Sequence, residues 1–211
     1  LLQISLLAIH FNRAVNEGNK LSKQKDMLPI IAKLNGKLES GNLLTGLIAS
    51  ELKVDANDIL DFDLVLYDTE KPCTFGLNNE FISAGRLDDL SMAHAALTAA
   101  IEGTDADTTC VAAIFDNEET GSETRQGAGS PFLHDTLQAI CDALGLRLPT
   151  MLASSFMVSA DNGHARHPNH PEMSDGVNCP NLNGGIVIKA NAAQKYATDG
   201  VSAAIFGEIC R

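Results

Sequence analysis

Apolar residues recur at helical spacing in "GNLLTGLIASELKV" (residues 41–54), where Leu44, Leu47 and Ile48 share a face and Leu52 follows one turn on. The spacing predicts a helix. The period then changes to two in "ILDFDLVLYDT" (59–69), where Leu60, Phe62, Leu64 and Leu66 alternate as in a half-buried strand. The stretch "TEKPCTFGLNNEF" (69–81) is rich in turn formers and predicts a boundary between subregions near residues 69–80. In "RLDDLSMAHAALTAAIEG" (86–103), Asp88 or Asp89 can cap an Ala-rich helix that ends at Gly103. The near-continuous apolar run of "TTCVAAIFDNEE" (108–119) predicts a strand buried on both faces.

After the Gly/Ser loop at 121–130, "SPFLHDTLQAICDALG" (130–145) predicts another helix. Ser130 is a suitable N-cap, Pro131 suits the first helical position, and Leu133, Leu137, Ile140 and Leu144 line one face. Further strand candidates are "SSFMVSAD" (154–161) and "GGIVIKAN" (184–191), and a last helix starts near Thr198. Strands alternating with helices predict an α/β sandwich with helices on both sheet faces. No internal repeat or low-complexity segment interrupts this order.

Composition narrows the function classes. The 211 residues are 45% hydrophobic and 20% charged, as in an ordinary globular protein, and without Trp the core should be Leu, Ile, Val and Ala. A net charge of -12 and no run of basic residues argue against nucleic-acid binding, whose affinity comes from neutralising phosphates. No apolar run approaches the about 18–20 residues needed to span a bilayer. Five widely spaced cysteines form no C-x-x-C pair, which argues against a thiolate zinc site and fits a reducing, cytoplasmic location. Cys110 and Cys141 lie in apolar patterns and read as small buried hydrophobes. The chain opens "LLQISLLAIHFNRAV" without Met or cap and stops inside an apparent helix, so it reads as an internal fragment of a longer protein.

Acidic residues fall where open α/β sheets build their sites, at the carboxyl ends of strands. Asp116, Glu118 and Glu119 follow "CVAAIF", Asp161 follows "FMVSA", and Asp88 and Asp89 sit at a helix start. Each group alone has a plain reading, as a cap or a solvated turn. Together, carboxylates from separate segments repel one another unless a cation neutralises them. In extended backbone the neighbours Glu118 and Glu119 would point to opposite sides, so one can bind metal while the other takes a proton from water. "HARHPNH" spaces His164, His167 and His170 three apart, but Pro168 and Pro171 forbid the continuous helix that a three-histidine metal ridge needs. His94 and His134, alone on helices, read as structural.

These motifs together resemble the aspartyl aminopeptidase family of dinuclear zinc exopeptidases, whose relatives include vacuolar aminopeptidase I. The resemblance is carried by "AIHFNRAVNEG" (8–18), "RLDD" (86–89), "DNEETGSETRQGAGS" (116–130), "SADNGHARHPNHPE" (159–172) and "NGGIVIKANAAQKYATDG" (183–200), in family order along nearly the whole chain. It implies a three-layer α/β zinc-exopeptidase-like catalytic domain, present in part. Residues 1–80 would be the later part of an inserted dimerisation domain and 81–211 a central part of the catalytic domain. It implies two zinc ions per complete site, with Asp88 bridging them, Glu119 holding one, Asp161 holding the other, and Glu118 as the general base. His164, His167, Lys189 and Tyr196 match positions in or near the substrate pocket. His10 matches a histidine that reaches a neighbouring subunit's site, in dimers that assemble to a dodecamer.

The expected function is therefore removal of N-terminal residues from peptides, with Lys189 favouring Asp or Glu. The chain departs from the family pattern at Asp89, where Asn is usual, at Asn162-Gly163, commonly Met-Ala, and at Thr120, usually Val. None of these removes a metal ligand. The family's first and last zinc histidines lie outside residues 1–211, so this segment alone should be a poor enzyme. A noncatalytic oligomerisation fragment and another dinuclear zinc hydrolase, such as a deacylase, are the competing readings.

Overall fold

The computed structural model describes residues 1–18, 20–33, 35–36, 43–103 and 107–211. The chain divides into two units, Leu1–Leu66 and Tyr67–Arg211.

In the first unit an isolated antiparallel bridge joins Gln3 to Ile30. The helix expected over 41–54 is α1, Leu43–Leu52, with residues 41 and 42 outside the described residues. Its buried residue is Ala49. A short 3-10 turn, Ala56–Asp58, follows against it, with Asp55 accepting the Asn57 N–H at 2.8 Å. The alternating stretch from residue 59 runs without ladder hydrogen bonds, and Leu60 and Leu64 face solvent. Alternation prepares one face for burial, but a strand also needs a partner for its backbone groups, and none lies beside it among the described residues.

In the second unit the expected turn region holds a hairpin. Strand β1, Cys73–Phe75, pairs antiparallel with β2, Phe81–Ser83, in the register Thr74 opposite Ile82. Phe75 and Phe81 stack with ring centroids 5.1 Å apart, an aromatic cross-strand pair of the kind that stabilises sheets. Gly76, at φ 100°, makes the turn. A side chain there would strike the Glu80 carboxylate, which accepts the Asn78 N–H at 2.8 Å.

Helix α2, Leu87–Glu102, ends as expected at Gly103, whose N–H donates to Ala99 O at 2.9 Å. Asp88 and Asp89 do not cap it. Both lie inside its first turn with non-helical backbone angles, after Arg86 in the left-handed region. Helix α3, Phe132–Ala143, begins later than expected, with Pro131 at the N-cap position. Ser130 caps nothing, and its hydroxyl is buried without a partner. Leu133 and Leu137 are half-buried, whereas Ile140 and Leu144 face solvent. The short helix α4, Leu148–Ala153, packs against α3, and Cys141 and Leu148 are the buried residues of the pair. Cys110, expected to be buried, is exposed.

Helix α5, Gly200–Ile209, starts near the expected Thr198 because Asp199 and Ser202 form a reciprocal capping box. Asp199 accepts the Ser202 N–H at 2.8 Å, and the Asp199 N–H donates to Ser202 Oγ at 2.9 Å. The first of these bonds holds the Asp199 carboxyl below the ordinary aspartate range.

The three apolar runs expected as sheet strands carry no strand ladder among the described residues. Val111, Ile114, Met157 and Ile186 face solvent instead of being buried on both sides. Two of the runs nevertheless lie side by side. The Gly163 Cα region sits against Val187, where a β-carbon would make ordinary contact at 3.7 Å.

Candidate metal centre

Four stretches of the second unit bring their polar groups together: the first turn of α2, the loop after residue 115, residues 161–162, and Lys189. One carboxylate oxygen each from Asp88, Asp89 and Asp161 lies within 4.8 Å of the other two. The non-helical angles of Asp88 and Asp89 place both carboxylates in this cluster. A regular helix would fan adjacent side chains about 100° apart, since there are 3.6 residues per turn. Asp161, from a segment more than seventy residues on, closes the triplet.

Glu118 and Glu119 reach this region from a tight loop. Asn117 adopts φ 62°, which Asn tolerates, and its carbonyl accepts the Gly121 N–H at 2.8 Å. Gly127 closes the same loop so tightly that a β-carbon would lie 2.5 Å from Ser122 O. The two glutamates therefore sit in a turn, not in the extended backbone the apolar run implied. The Glu118 carboxyl is pushed above the ordinary glutamate range. The adjacent charge of Glu119 is the main cause, followed by reduced hydration and then by Asp161, Asp88 and Asp89. Glu119 stands outside the oxygen triplet, while Asp89 stands inside it.

Lys189 compensates the negative charge. Its ammonium donates to Asp161 Oδ2 at 2.6 Å and to Asn162 O at 2.7 Å, and lies 6.0 Å from the Tyr196 ring centre. The hydrogen bond from Lys189 holds the Asp161 carboxyl below the ordinary range. Asp89 is shifted the other way, first by burial and then by the charges of Asp161 and Asp88. The Asn162 amide nitrogen lies 2.9 Å from Leu87 O, 3.0 Å from Ser91 Oγ, and 3.4 Å from an oxygen of each of Asp88 and Asp89.

The donor set suits a divalent cation. Converging carboxylates are the ligands of hard cations and are accepted by zinc at about 2.0–2.2 Å. Oxygens this close can share an ion after small side-chain rotations. Asp161 keeps Oδ1 for that role while Oδ2 holds Lys189.

The histidines are placed otherwise. The rings of His167 and His170 lie 5.1 Å apart, His170 pairs with Glu172 at 3.2 Å, and neither ring joins the triplet. His164 is exposed. His10 lies in an exposed turn of the first unit. The sequence marks Asn162 only as a departure from the family pattern, and Asp89 as a cap candidate in an acidic pair and as a second such departure. The signal available was a polar or charged side chain directly beside each expected ligand, but no local pattern tells that they face each other.

A family model described as Aminopeptidase I zinc metalloprotease (M18) matches residues 1–211. The chain is 49% identical over 214 residues to a protein of Clostridium acetobutylicum named Probable M18 family aminopeptidase 2, covering 100% of this chain and 49% of that protein. It superposes on the crystal structure of prApe1 with a TM-score of 0.85 at 28% identity, covering 99% of this chain and 48% of that one. The structure of the Saccharomyces cerevisiae mApe1 dodecamer matches at a TM-score of 0.70 and 32% identity, over 79% of this chain and 40% of that one. The chain thus has the α/β fold of these enzymes and spans about half the length of the curated relatives it matches. It belongs to the M18 family of aminopeptidase I zinc metalloproteases.

Proposed function

We propose that this chain is the part of a zinc metalloaminopeptidase that carries its carboxylate ligands and its general base. The observation that carries this reading is the meeting of Asp88, Asp89 and Asp161 oxygens within 4.8 Å, with Glu118 on a nearby loop held above its ordinary range first by Glu119 and then, after reduced hydration, by these aspartates. Zinc, when bound, supplies Lewis acidity that acidifies water and polarises a peptide carbonyl. Asp88 and Asp161 would hold it, with Glu119 as a further ligand from the loop. Glu118 takes the proton of the attacking water and returns it to the departing amine, a role suited to a carboxyl titrating above its usual range. His164, His167 and Tyr196 shape the pocket for the peptide's N-terminal residue, and Lys189 favours Asp or Glu there.

All the segments around the Asp88, Asp89 and Asp161 cluster lie in the second unit, Tyr67–Arg211, in keeping with a catalytic domain over 81–211 and an inserted dimerisation domain over 1–80, although the two units divide at residues 66 and 67 and so leave residues 67–80 with the second. The full-length protein assembles as a homo-oligomer of twelve, with His10 reaching a neighbouring copy's site. Leu6, Leu7 and Ile9 beside it are 60%, 66% and 57% exposed, an apolar cluster of the kind that marks interfaces. No described helix is long and apolar enough to cross a membrane, and a cytoplasmic location fits the free cysteines.

Purified full-length protein should contain zinc, lose aminopeptidase activity after chelation, and regain it with zinc. Full activity in the demetallated protein would overturn the reading. In sedimentation the same protein should run far above monomer mass, and a monomer at micromolar concentration would end the assembly proposal.

A further inference from the structure

We infer that Asn162 is a positioning residue that sets the spacing between the two carboxylate-bearing segments of the metal centre, an inference that rests on the metalloaminopeptidase reading. Its side chain leaves one segment and ends on the other, bonding to partners 71 to 75 residues away. Among the described residues, the side-chain hydrogen bonds between residues 161–162 and the first turns of α2 all run through this amide. The nitrogen donates to Leu87 O at 2.9 Å and to Ser91 Oγ at 3.0 Å. Ser91 Oγ is also 3.0 Å from Asn162 Oδ1 and 2.8 Å from Leu87 O, so amide, hydroxyl and carbonyl form one closed group.

An amide suits this place for an electrostatic reason. Asp88, Asp89 and Asp161 repel one another, and that repulsion would drive the α2 turn away from residue 161. The Asn162 nitrogen points its positive end at the Asp88 and Asp89 oxygens, each at 3.4 Å. It offsets part of the repulsion without carrying a charge of its own. A second ammonium there would offset more, but it would compete with a metal for the same oxygens. Lys189 already grips the backbone carbonyl of Asn162 at 2.7 Å, so the amide side chain projects from a fixed base.

The test uses the full-length protein and zinc titrated against a chromophoric chelator. Asn162→Leu keeps the side chain's approximate size and removes its donors and acceptor. It should weaken zinc binding about 10–100-fold, the usual effect of losing a group that orients metal ligands. Its melting temperature in chelator should change little, whereas a merely structural role would lower it. Ser91→Ala should weaken zinc in the same direction, and the double variant should be little worse than Asn162→Leu alone, because the two act as one unit. Unchanged zinc affinity in Asn162→Leu, or fully additive losses in the double variant, would overturn the inference. If Asn162→Leu does not fold, Ser91→Ala decides alone: wild-type affinity there rejects the role. A wild-type protein that binds no zinc would instead fail the functional reading itself.

Discussion

Glu118→Gln in the full-length protein is expected to lower peptide turnover by roughly 10²–10⁴ while zinc content stays nearly normal. The substitution keeps the shape of the side chain and removes its ability to take a proton. In the proposed arrangement Glu119, not Glu118, is the loop's metal ligand, so loss of the Glu118 carboxylate should spare metal affinity. The charge of Glu119, then reduced hydration and the charges of Asp161, Asp88 and Asp89, raise its proton affinity, which suits the proposed role of proton acceptor. Zinc content by elemental analysis and turnover with a chromogenic peptide separate the two roles. A variant with normal turnover would show that another group accepts the proton, and one with lost zinc would make Glu118 a ligand.

Lys189→Met should lower cleavage of every peptide by about 30-fold or more, with a further loss for peptides that begin with Asp or Glu. The general loss follows from Asp161. Truncating one partner of a close charge pair costs roughly 2 kcal/mol at the low end, or about 30-fold, and leaves the other charge uncompensated. The low end applies because Asp161 is 49% exposed and water screens part of the lost attraction. The further loss follows from the proposed contact of the ammonium with an acidic N-terminal side chain. kcat/KM for matched peptides starting with Asp, Glu, Leu and Ala separates the two contributions. Equal losses would confine Lys189 to Asp161, and no loss for any peptide would remove it from the site.

Lys189 ends the apolar run "GGIVIK", where an ammonium calls for a partner. That need was legible because a desolvated ammonium is costly. The partner was not, because Asp161 lies 28 residues earlier and nothing local links them. The same divide runs through the acidic groups. Acidic residues at the ends of apolar runs marked Asp161 and the Glu118–Glu119 pair, and the pair Asp88–Asp89 was marked at a helix start. The resemblance singled out Asp88, and the structure brings Asp89 to Asp161 as well.

By itself the sequence determined the elements whose signals are local. Helical periodicity marked α1 and α3, an Ala-rich stretch marked α2 and Gly103 its end, and the start of α5 was placed near Thr198, because each depends on residues within a few turns of one another. Only the tertiary structure decided the rest. The hairpin of β1 and β2 closes where turn residues had hidden two short strands, held by the Phe75–Phe81 pair. The apolar runs at 108–119, 154–161 and 184–191 carry no ladder among the described residues, since hydrophobicity prepares a strand but only a neighbouring backbone pairs it. Asp89, Asn162, Ser91 and Lys189 join one site because distant segments bring opposite and complementary groups within 3–5 Å, a distance that sequence spacing does not encode.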